Sequence, residues 1–340
     1  MKQVKVGIVN VTGYIGMELA RLVHRHPEVE LASVTGRSAA GQGLSQFLPH
    51  LADVGLTIEA DLGDVDLAFS ALPHKTGVES IAGLLKRGTR VVDVSADFRL
   101  KDASDYDRWY GFTHTMPHLL EEAAYGLVEL NRQRVASARL VANPGCYPTG
   151  AILALAPAVN QGLIEPDVIV DAKSGVSGAG RGLSVHTHFP EANENTSAYA
   201  LDGHRHLPEM VQELQGLNPA LPLSLTFVPH LVPMSRGILS TCYARLAVDK
   251  GLEEIRQIYR DFYRGEPFVK VVDAAPQSKQ TWGSNLCLIY PALDTRTERF
   301  MVVSCIDNLV KGGAGQAVQC MNVMLGVPEN TALDAVGVYP

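Results

Sequence analysis

The sequence predicts an α/β protein in which a first domain with a parallel sheet precedes a second domain with a mixed sheet. The chain has 340 residues, more than a single hydrophobic core usually serves, and 46% of them are apolar. Short apolar strands alternate with helices through the first 147 residues, as in a parallel sheet covered on both faces. Later strands are longer and richer in β-branched and aromatic residues, which is typical of an α+β domain.

The elements follow from the spacing of apolar residues. Residues 4–9 form an apolar run that predicts a buried strand, and residues 17–24 place apolar side chains on one helical face. The other predicted elements of the first half are strands at 31–35, 65–71, 90–94 and 140–143 and a helix at 76–86. The predicted strands of the second half are residues 168–172, 223–228, 237–247 and 300–306.

A last helix is predicted at residues 311–325, and we expect it to pack back on the first domain. The first domain is therefore expected to span residues 1–147, completed by the C-terminal residues 308–340. Residues 148–307 form the second domain, which we expect to bind substrate and to mediate oligomerisation.

The composition limits the classes of partner. A net charge of −7 without any run of like charges gives no basic surface for nucleic acid or for an anionic membrane. The N-terminus does not have the pattern of a signal peptide, and no stretch of about 18 apolar residues occurs. We therefore expect a cytoplasmic protein that binds neither nucleic acid nor membrane.

The five cysteines stand far apart and include no C-x-x-C pair, which fits neither a disulfide framework nor a zinc site, and no metal is expected. Four of them lie in apolar runs and are expected to be inert core residues, namely Cys242, Cys287, Cys305 and Cys320. The fifth is Cys146, whose surroundings are different.

The segment from Asn10 to Gly16 stands between the first strand and its helix with the spacing of a G-x-x-G-x-x-G dinucleotide loop. Asn10 replaces the first glycine, and asparagine tolerates the positive φ of such a turn. Gly13 and Gly16 let the backbone approach a pyrophosphate at the helix N-terminus. The residues expected to contact the cofactor here are Asn10, Thr12, Gly13, Tyr14, Ile15 and Gly16.

The second strand ends in Thr35-Gly-Arg37-Ser38, where an NAD site usually presents an acidic side chain to the ribose 2′-hydroxyl. Arg37 and Ser38 instead offer donors for a 2′-phosphate, which favours NADP over NAD. The alternative for Arg37 is a solvated surface side chain. The first domain is thus predicted to be a Rossmann-type NADP-binding domain.

Cys146 lies in Asn143-Pro-Gly-Cys-Tyr-Pro-Thr149, after a short strand and before the helical run 151–159. Near a helix N-terminus the macrodipole favours a thiolate by roughly 0.3 to 1 kcal/mol. A thiolate attacks an acyl carbon and leaves again from a tetrahedral intermediate, so a thioester can form and accept a hydride. The pattern predicts a nucleophile, and the alternative is a buried structural cysteine.

Together these segments resemble the N-acetyl-γ-glutamyl-phosphate reductases, a family of the aspartate-semialdehyde dehydrogenase type, over nearly the whole chain. The resemblance rests on eight segments in the expected order, which are residues 12–16, 71–74, 93–99, 143–149, 173–180, 204–209, 229–237 and 308–316. It implies NADPH-dependent reduction of N-acetyl-L-glutamyl 5-phosphate through a thioester on Cys146, in arginine biosynthesis. It also implies a homodimer or homotetramer. Asn10 departs from the glycine that the family commonly has.

In that family a histidine of the H-R-H-x-P-E segment is the general acid and base, which maps onto His204 and His206. Histidine suits this role because its pKa lies near neutrality. Pro208 in the first turn of a helix would leave both histidines just outside that helix. Which of them acts stays open. We prefer His206, with Glu209 as the carboxylate that orients it.

An acyl phosphate also needs donors for its phosphate and its carboxylate, and the planar fork of arginine pairs two oxygens at once. The residues expected to bind substrate are Arg99, Asn143, Ser174, Arg205 and Arg236. The glycine-rich stretch 174–180 offers backbone donors, so Ser177 and Gly178 are expected to face the nicotinamide half of NADP. Asn308 is assigned to the carboxamide by the resemblance alone.

Three alternatives remain. Two are reductases of the same type that act on carrier-bound aminoadipyl phosphate, in lysine biosynthesis, or on aspartyl phosphate. The aminoadipyl enzymes look different around the cysteine, which favours the N-acetylglutamyl substrate. The third, from another class, is a catalytically silent NADP-binding sensor that keeps the fold for interaction.

Overall fold

The computed structural model describes residues 3–340 and divides them into two compact units. Unit 1 contains the residues up to Pro144 together with Gly313–Ala335. Unit 2 contains Gly145–Gly312 and Val336–Pro340. The sequence places the domain boundary after residue 147, and unit 2 begins at Gly145, the N-cap of one of its helices. Residues 308–312 and 336–340, assigned from the sequence to the first domain, also lie in unit 2.

Unit 1 is built on a seven-stranded sheet in which every pair of neighbours is parallel. Its strands are β1 Val4–Val9, β2 Val29–Thr35, β3 Ile58–Glu59, β4 Leu67–Ser70, β5 Arg90–Asp93, β6 Ala124–Tyr125 and β7 Leu140–Ala142. Their order is β3-β2-β1-β4-β5-β7-β6. All four residues of β4 are buried, as expected for a strand covered on both faces. The predicted parallel sheet is confirmed.

Six helices of unit 1 lie between these strands, and they are α1 Tyr14–His24, α2 Leu44–Phe47, α3 Val78–Lys86, α4 Ser104–Tyr110, α5 His118–Glu122 and α6 Val128–Ser137. The sequence predicted only α1 and α3, whose buried residues recur at helical spacing. The helices α2, α4 and α5 have 4, 7 and 5 residues, too few to show a period. In α6 only two residues are buried.

Unit 2 is built on a second seven-stranded sheet, and this sheet is mixed. Its strands are β8 Asp167–Gly175, β9 Ser197–Ala198, β10 Ser224–Val232, β11 Ile238–Arg245, β12 Val269–Val271, β13 Cys287–Asp294 and β14 Arg299–Ile306. Their order is β12-β13-β14-β11-β8-β10-β9, with only β8·β10 and β12·β13 parallel. The predicted mixed sheet, and with it the two-domain α/β fold class, is confirmed. The strands β9, β12 and β13 were not predicted.

Four helices belong to unit 2, and they are α7 Cys146–Asn160, α8 Phe189–Ala192, α9 Leu207–Leu217 and α10 Leu252–Phe262. Nearly all of α7 is buried, and Ser304 of β14 donates to the Gly150 carbonyl at 2.9 Å. The sequence predicted this helix from residue 151, five residues too late. Pro148 conceals the true start, although proline is well tolerated in a first helical turn.

The last helix, α11 (Gly315–Leu325), follows one turn of π-helix at Val310–Ala314 and is part of unit 1. The thiol of Cys320 donates to the Gly126 carbonyl at 3.1 Å, and His26 Nε2 lies 2.8 Å from Asn322 Oδ1. These polar contacts between buried groups fix α11 against the parallel-sheet unit.

Four of the five cysteines lie in the core, as predicted. Cys242, Cys287, Cys305 and Cys320 are buried, whereas Cys146 is only partly buried. Burial raises the pKa of Cys242 and of Cys305 to about 12. Between residues 3 and 340, no helix combines the length and the apolar character needed to cross a membrane.

Candidate functional site

The loop between β1 and α1 has the backbone conformation that the sequence predicted. Asn10 has a φ of 67°, so asparagine does occupy the left-handed region in place of glycine. Its side-chain amide donates to the Ala71 carbonyl at 2.8 Å, and its Oδ1 accepts a hydrogen bond from the Thr12 hydroxyl at 3.1 Å. At Gly16 a Cβ would lie 2.3 Å from the Asn10 carbonyl oxygen, so only glycine fits there.

The start of α1 fits the pyrophosphate of a dinucleotide. Gly13 is the N-cap, no side chain caps the helix, and the first turn carries no acidic residue. The first amides of a helix have no intrahelical acceptor, so they attract an anion. A Cβ on Gly13 would meet only Asn10 Nδ2 within 4 Å, at 3.6 Å, and the protein itself therefore does not require glycine at this position.

Arg37 and Ser38 follow the carboxyl end of β2 in a short 3-10 turn, Arg37–Ala39, and both are exposed. Residues 35–40 contain no carboxylate that would compete for a ribose hydroxyl. An exposed guanidinium and a hydroxyl at this place fit a 2′-phosphate better than a 2′-hydroxyl. Together with the open start of α1, they form a candidate NADP site within unit 1.

Cys146 is the first residue of α7, with Gly145 as the N-cap. No side chain of the cap residue hydrogen-bonds the helix start, and the first turn has no acidic residue. A thiolate here would meet the positive end of a 15-residue helix. Gly312 lies directly against it, because a Cβ at 312 would be 2.8 Å from the Cys146 Cβ. Glycine at 312 therefore leaves room beside the thiol.

Glu209 connects the cysteine loop to helix α9. Its side chain is fully buried, and its Oε1 accepts the Gly145 backbone N–H at 2.8 Å. A carboxylate that accepts a buried amide holds that amide strongly, because the bond is charge-assisted. The sequence assigned Glu209 to orient a histidine, and in the structure its Oε1 fixes Gly145, the residue that caps α7.

The two histidines stand at the start of α9 in different environments. His206 is the N-cap of that helix, and its backbone N–H donates to His204 Nδ1 at 3.1 Å. A ring nitrogen that accepts a hydrogen bond carries no proton, so neutral His204 has its proton on Nε2. Burial, and secondarily the charge of Arg205, lowers the pKa of His204 to about 4. His204 is therefore neutral at physiological pH and fixed in one tautomer.

Aromatic rings pack the histidines against the residue that follows the cysteine. The Tyr147 ring centroid lies 5.8 Å from that of His204 and 6.0 Å from that of His206. The Tyr199 hydroxyl donates to the Tyr147 hydroxyl at 3.1 Å, and Tyr147 donates in turn to the His230 carbonyl at 3.3 Å. The cluster therefore holds both histidines next to the start of α7.

Three loops of unit 2 meet at the ends of β8, β10 and β14, and we call residues 175–178, 234–237 and 307–312 the three-loop cluster. The Val176 amide donates to the Met234 carbonyl at 2.9 Å. A Cβ on Gly175 would lie 2.8 Å from the Met234 carbonyl oxygen, which requires glycine where the first two loops touch. The third loop includes Gly312, which lies against Cys146.

Asn308 ties the three loops together. Its Oδ1 accepts the Gly237 N–H at 2.7 Å, and its Nδ2 donates to the Ser177 hydroxyl at 2.9 Å. The buried Ser174 hydroxyl donates to the Gly175 carbonyl at 3.0 Å. Asn308, Ser174 and Ser177 were predicted to bind cofactor or substrate, and each already has a structural partner here.

Arg99 and Asn143, expected to bind substrate, are engaged with the backbone of unit 1. Arg99 is 7% exposed, and its guanidinium donates to the carbonyls of Asn143 at 2.7 Å and Val94 at 2.8 Å. Asn143 is fully buried, and its Nδ2 donates to the carbonyls of Pro144 and Gly313, both at 3.3 Å. Both side chains therefore fix these loops in the structure, and their expected role in binding substrate stays a prediction. Motif spacing alone does not distinguish the two roles.

Arg205 and Arg236 are more accessible. Arg205 is exposed beside His204. The side chain of Arg236 is 27% exposed, and its Nε lies 3.3 Å from an oxygen of the buried Asp307 carboxylate. A guanidinium aligned by a carboxylate behind it remains able to bind an anion in front.

The predicted site residues are divided between the two units. Unit 1 holds Asn10, Thr12, Gly13, Tyr14, Ile15, Gly16, Arg37, Ser38, Arg99 and Asn143. Unit 2 holds Cys146, Ser174, Ser177, Gly178, His204, Arg205, His206, Glu209, Arg236 and Asn308. Sequence reasoning missed Tyr147, Tyr199 and Asp307. Asp307 directly precedes Asn308 in a recognised segment, and that neighbourhood was the only signal for it.

Two family models match most of the chain. The model described as semialdehyde dehydrogenase, NAD binding domain, matches residues 5–138. The model described as semialdehyde dehydrogenase, dimerisation domain, matches residues 146–308. The two matches correspond closely to the parallel-sheet unit and the mixed-sheet unit.

Curated relatives resemble the chain over its full length. An N-acetyl-gamma-glutamyl-phosphate reductase of Dehalococcoides mccartyi is 57% identical over 341 residues, covering 100% of both chains. One of Pelotomaculum thermopropionicum is 50% identical over 346 residues, covering 99% of both.

Solved structures share the fold at low identity. An aspartate semialdehyde dehydrogenase with NADP from Candida albicans has a TM-score of 0.73 at 16% identity, covering 97% of this chain and 100% of its own. Aspartate semialdehyde dehydrogenase II complexed with ASA from Vibrio cholerae also has a TM-score of 0.73, at 17% identity, covering 96% and 99%. These likenesses concern the fold alone.

Proposed function

The chain belongs to the N-acetyl-gamma-glutamyl-phosphate reductase family of the semialdehyde dehydrogenases, and from this membership we propose its reaction. It reduces N-acetyl-L-glutamyl 5-phosphate to N-acetyl-L-glutamate 5-semialdehyde with NADPH, as a step of arginine biosynthesis. The observation that carries the proposal is the partly buried Cys146 at the start of α7, followed by Tyr147, whose ring packs against those of two histidines. We place the enzyme in the cytoplasm, as a homodimer or homotetramer.

Cys146 is the nucleophile of this reaction. Its thiolate attacks the acyl carbon, the carbon–oxygen bond to phosphate breaks, and inorganic phosphate leaves a thioester on the enzyme. NADPH, when bound, supplies the hydride that reduces the thioester carbonyl. The resulting hemithioacetal expels the Cys146 thiolate and releases the aldehyde. The positive end of α7 stabilises the thiolate both as attacking and as leaving group.

His206 is the general acid and base of the proposed reaction. It takes the thiol proton as Cys146 attacks, gives it to the hemithioacetal oxygen, and takes it back as the aldehyde forms. His204 is less suited, because its Nδ1 accepts the His206 amide and its pKa is lowered to about 4. His204 instead positions the backbone of His206, and Glu209 positions Gly145.

The proposed function also assigns the residues that hold NADP and the substrate. NADP binds at the start of α1, with Arg37 and Ser38 at its 2′-phosphate. Ser177, Gly178 and Asn308 of the three-loop cluster serve the nicotinamide half. Arg205 and Arg236 bind the anionic groups of the substrate.

A comparison of substrates tests the proposal. The purified protein is assayed in the reverse direction with NADP, phosphate and one of three semialdehydes, those of N-acetylglutamate, aspartate and carrier-bound aminoadipate. We expect kcat/KM for the N-acetylglutamate compound to exceed the others by at least about 100-fold, the discrimination that well-placed polar contacts provide. A preference for aspartate semialdehyde would contradict the substrate assignment. No turnover with any of them would favour the NADP-binding sensor.

A further inference from the structure

Arg236 is aligned from behind by a carboxylate that is itself held in place. The buried Asp307 Oδ1 accepts the amide of Leu309 at 2.8 Å. Its Oδ2 accepts the Gly283 amide at 2.7 Å and is the atom that lies 3.3 Å from Arg236 Nε. The direction of the guanidinium therefore depends on Asp307, and Asp307 depends in turn on the position of Gly283.

The turn that contains Gly283 also holds the backbone of Arg236. The indole N–H of Trp282 donates to the Arg236 carbonyl at 2.9 Å. At Gly237, with a φ of 105°, a Cβ would lie 3.1 Å from that indole nitrogen. The turn around Ser278–Thr281 and its two following residues thus contacts Arg236 on its main chain and, through Asp307, on its side chain.

The segment Val336–Pro340 packs against this turn. The Val338 amide donates to the Trp282 carbonyl at 2.9 Å, and the Tyr339 hydroxyl donates to Gln277 Oε1 at 3.3 Å. Gly337 lies so close that a Cβ there would be 2.1 Å from the Gln280 carbonyl oxygen. The division of the chain likewise places Val336–Pro340 in unit 2, although Gly313–Ala335 belong to unit 1.

We infer that Trp282 and the segment Val336–Pro340 are positioning elements for Arg236, whose guanidinium binds an oxyanion of the substrate. This inference rests on the proposed function, since it assumes that Arg236 meets a phosphate or a carboxylate. The segment packs against the turn. The turn fixes the main chain of Arg236 through Trp282, and it fixes the side chain of Arg236 through Gly283 and Asp307. None of these elements needs to touch the substrate.

Two substitutions disturb this support and leave residue 236 itself an arginine. Trp282→Phe removes the N–H that binds the Arg236 carbonyl, and Gly337→Val displaces the segment from Gln280. Each variant is assayed in the reverse direction, with KM measured separately for phosphate and for the semialdehyde. We expect one of these two KM values to rise roughly 5- to 20-fold while kcat stays within about twofold, since a misaligned charge-assisted bond weakens binding. The KM that rises identifies the oxyanion.

Trp109→Phe is the matched control, because Trp109 is the other tryptophan of the chain and lies in α4 of unit 1. It should leave both KM values unchanged. The same substitutions in an Arg236→Ala background distinguish positioning of Arg236 from a general loss of structure. If Trp282 and Gly337 act through Arg236, their substitutions should raise KM by less than about twofold in that background. Full additivity, unchanged KM values or a fall in kcat alone would overturn the inference.

A binding measurement keeps this test separate from the proposed reaction. Trp109→Phe leaves Trp282 as the only tryptophan, so its fluorescence reports on the turn. In that background we titrate inorganic phosphate and, separately, N-acetylglutamate. A saturable change with one of them that is lost in Arg236→Ala and weakened in Gly337→Val supports the inference even if no semialdehyde turns over. Equal affinity in the Gly337→Val variant would overturn it even if the proposed reaction is found.

Discussion

The helices α1 and α7 begin alike in the two units of the molecule. Each follows a strand in the sequence, each has a glycine N-cap with extended backbone, and neither has a side-chain cap or an acidic residue in its first turn. Gly13 has φ −84° and ψ 161°, and Gly145 has φ −67° and ψ 154°. Both starts therefore direct backbone amides and a positive dipole end at whatever anion comes there.

The two helix starts differ in the anion that each is expected to meet. The first amides of α1 are left to an external anion, and the Asn10 side chain only shapes the loop around them. At α7 the proposed anion is part of the chain, since Cys146 is the first helical residue. Glu209 also takes up the Gly145 amide there. Under the proposed function, the same kind of helix start binds a cofactor in one unit and stabilises a nucleophile in the other, and the neighbouring residues decide which.

The largest effect is expected from a substitution that removes the thiol at the start of α7 and leaves α1 unchanged. Cys146→Ser should lower kcat by at least about 10⁴-fold, because a hydroxyl is a far weaker nucleophile than a thiolate. The dissociation constant of NADPH, measured by its fluorescence, should stay within about twofold, because α1 is untouched. Cys320→Ser in unit 1 is the control, since serine can keep the hydrogen bond to the Gly126 carbonyl. Comparable loss of turnover in that control would remove the special role of Cys146.

The next effect separates the two histidines beside α7. His206→Gln should lower kcat/KM by about 10²- to 10⁴-fold through loss of the acid and base. His204→Asn should stay within about tenfold of wild type, because its Oδ1 can replace Nδ1 as acceptor for the His206 amide.

The pH dependence gives the same distinction. The base must be neutral to take the thiol proton, so activity falls as pH drops through its pKa. With a pKa of about 4, His204 does not change charge between pH 5 and 9. An acidic limb that belongs to the acid and base should therefore persist in His204→Asn and vanish in His206→Gln. Loss of the limb only in His204→Asn would reverse the assignment.

Glu209 sharpens the contrast between the two helix starts, because at α7 the side chain of a distant residue holds the amide of the N-cap. Glu209→Ala leaves the buried Gly145 amide without this acceptor and should lower the free energy of unfolding by about 1 to 3 kcal/mol. Glu209→Gln keeps an acceptor and should lose less stability. Urea unfolding of both variants measures the difference. Equal stability of wild type and Glu209→Ala would mean that the Gly145 bond is unimportant.

The smallest effect concerns the first helix start. Arg37→Ala should weaken NADPH binding by about tenfold, the loss expected for one partly solvated phosphate contact, and leave NADH binding within about twofold. Titration of each nucleotide against the two proteins measures both values. A matching loss for NADH would rule out a contact with the 2′-phosphate.

The sequence predicted the first helix start more completely than the second, for a physical reason. Everything that shapes the loop before α1, from Asn10 to Gly16, is local, and even the positive φ of Asn10 follows from its residue type. At α7 the glycine and the cysteine are local, but Glu209 is 64 positions from the Gly145 amide that it binds. No periodicity or spacing encodes such a pairing. The roles of Arg99 and Asn143 stay a prediction for a similar reason, because a motif does not show whether its members face a ligand or the protein interior.

The central claim is that Cys146 carries the acyl group, and a burst experiment tests it most directly. The enzyme is mixed with NADP and N-acetylglutamate semialdehyde in the absence of phosphate, and NADPH formation is followed by absorbance in a stopped-flow instrument. We predict a burst of about one NADPH per Cys146, with multiple turnover only after phosphate is added, because phosphate is what releases the thioester. A phosphate-dependent steady rate without any burst, or an undiminished burst in Cys146→Ser, would contradict the claim.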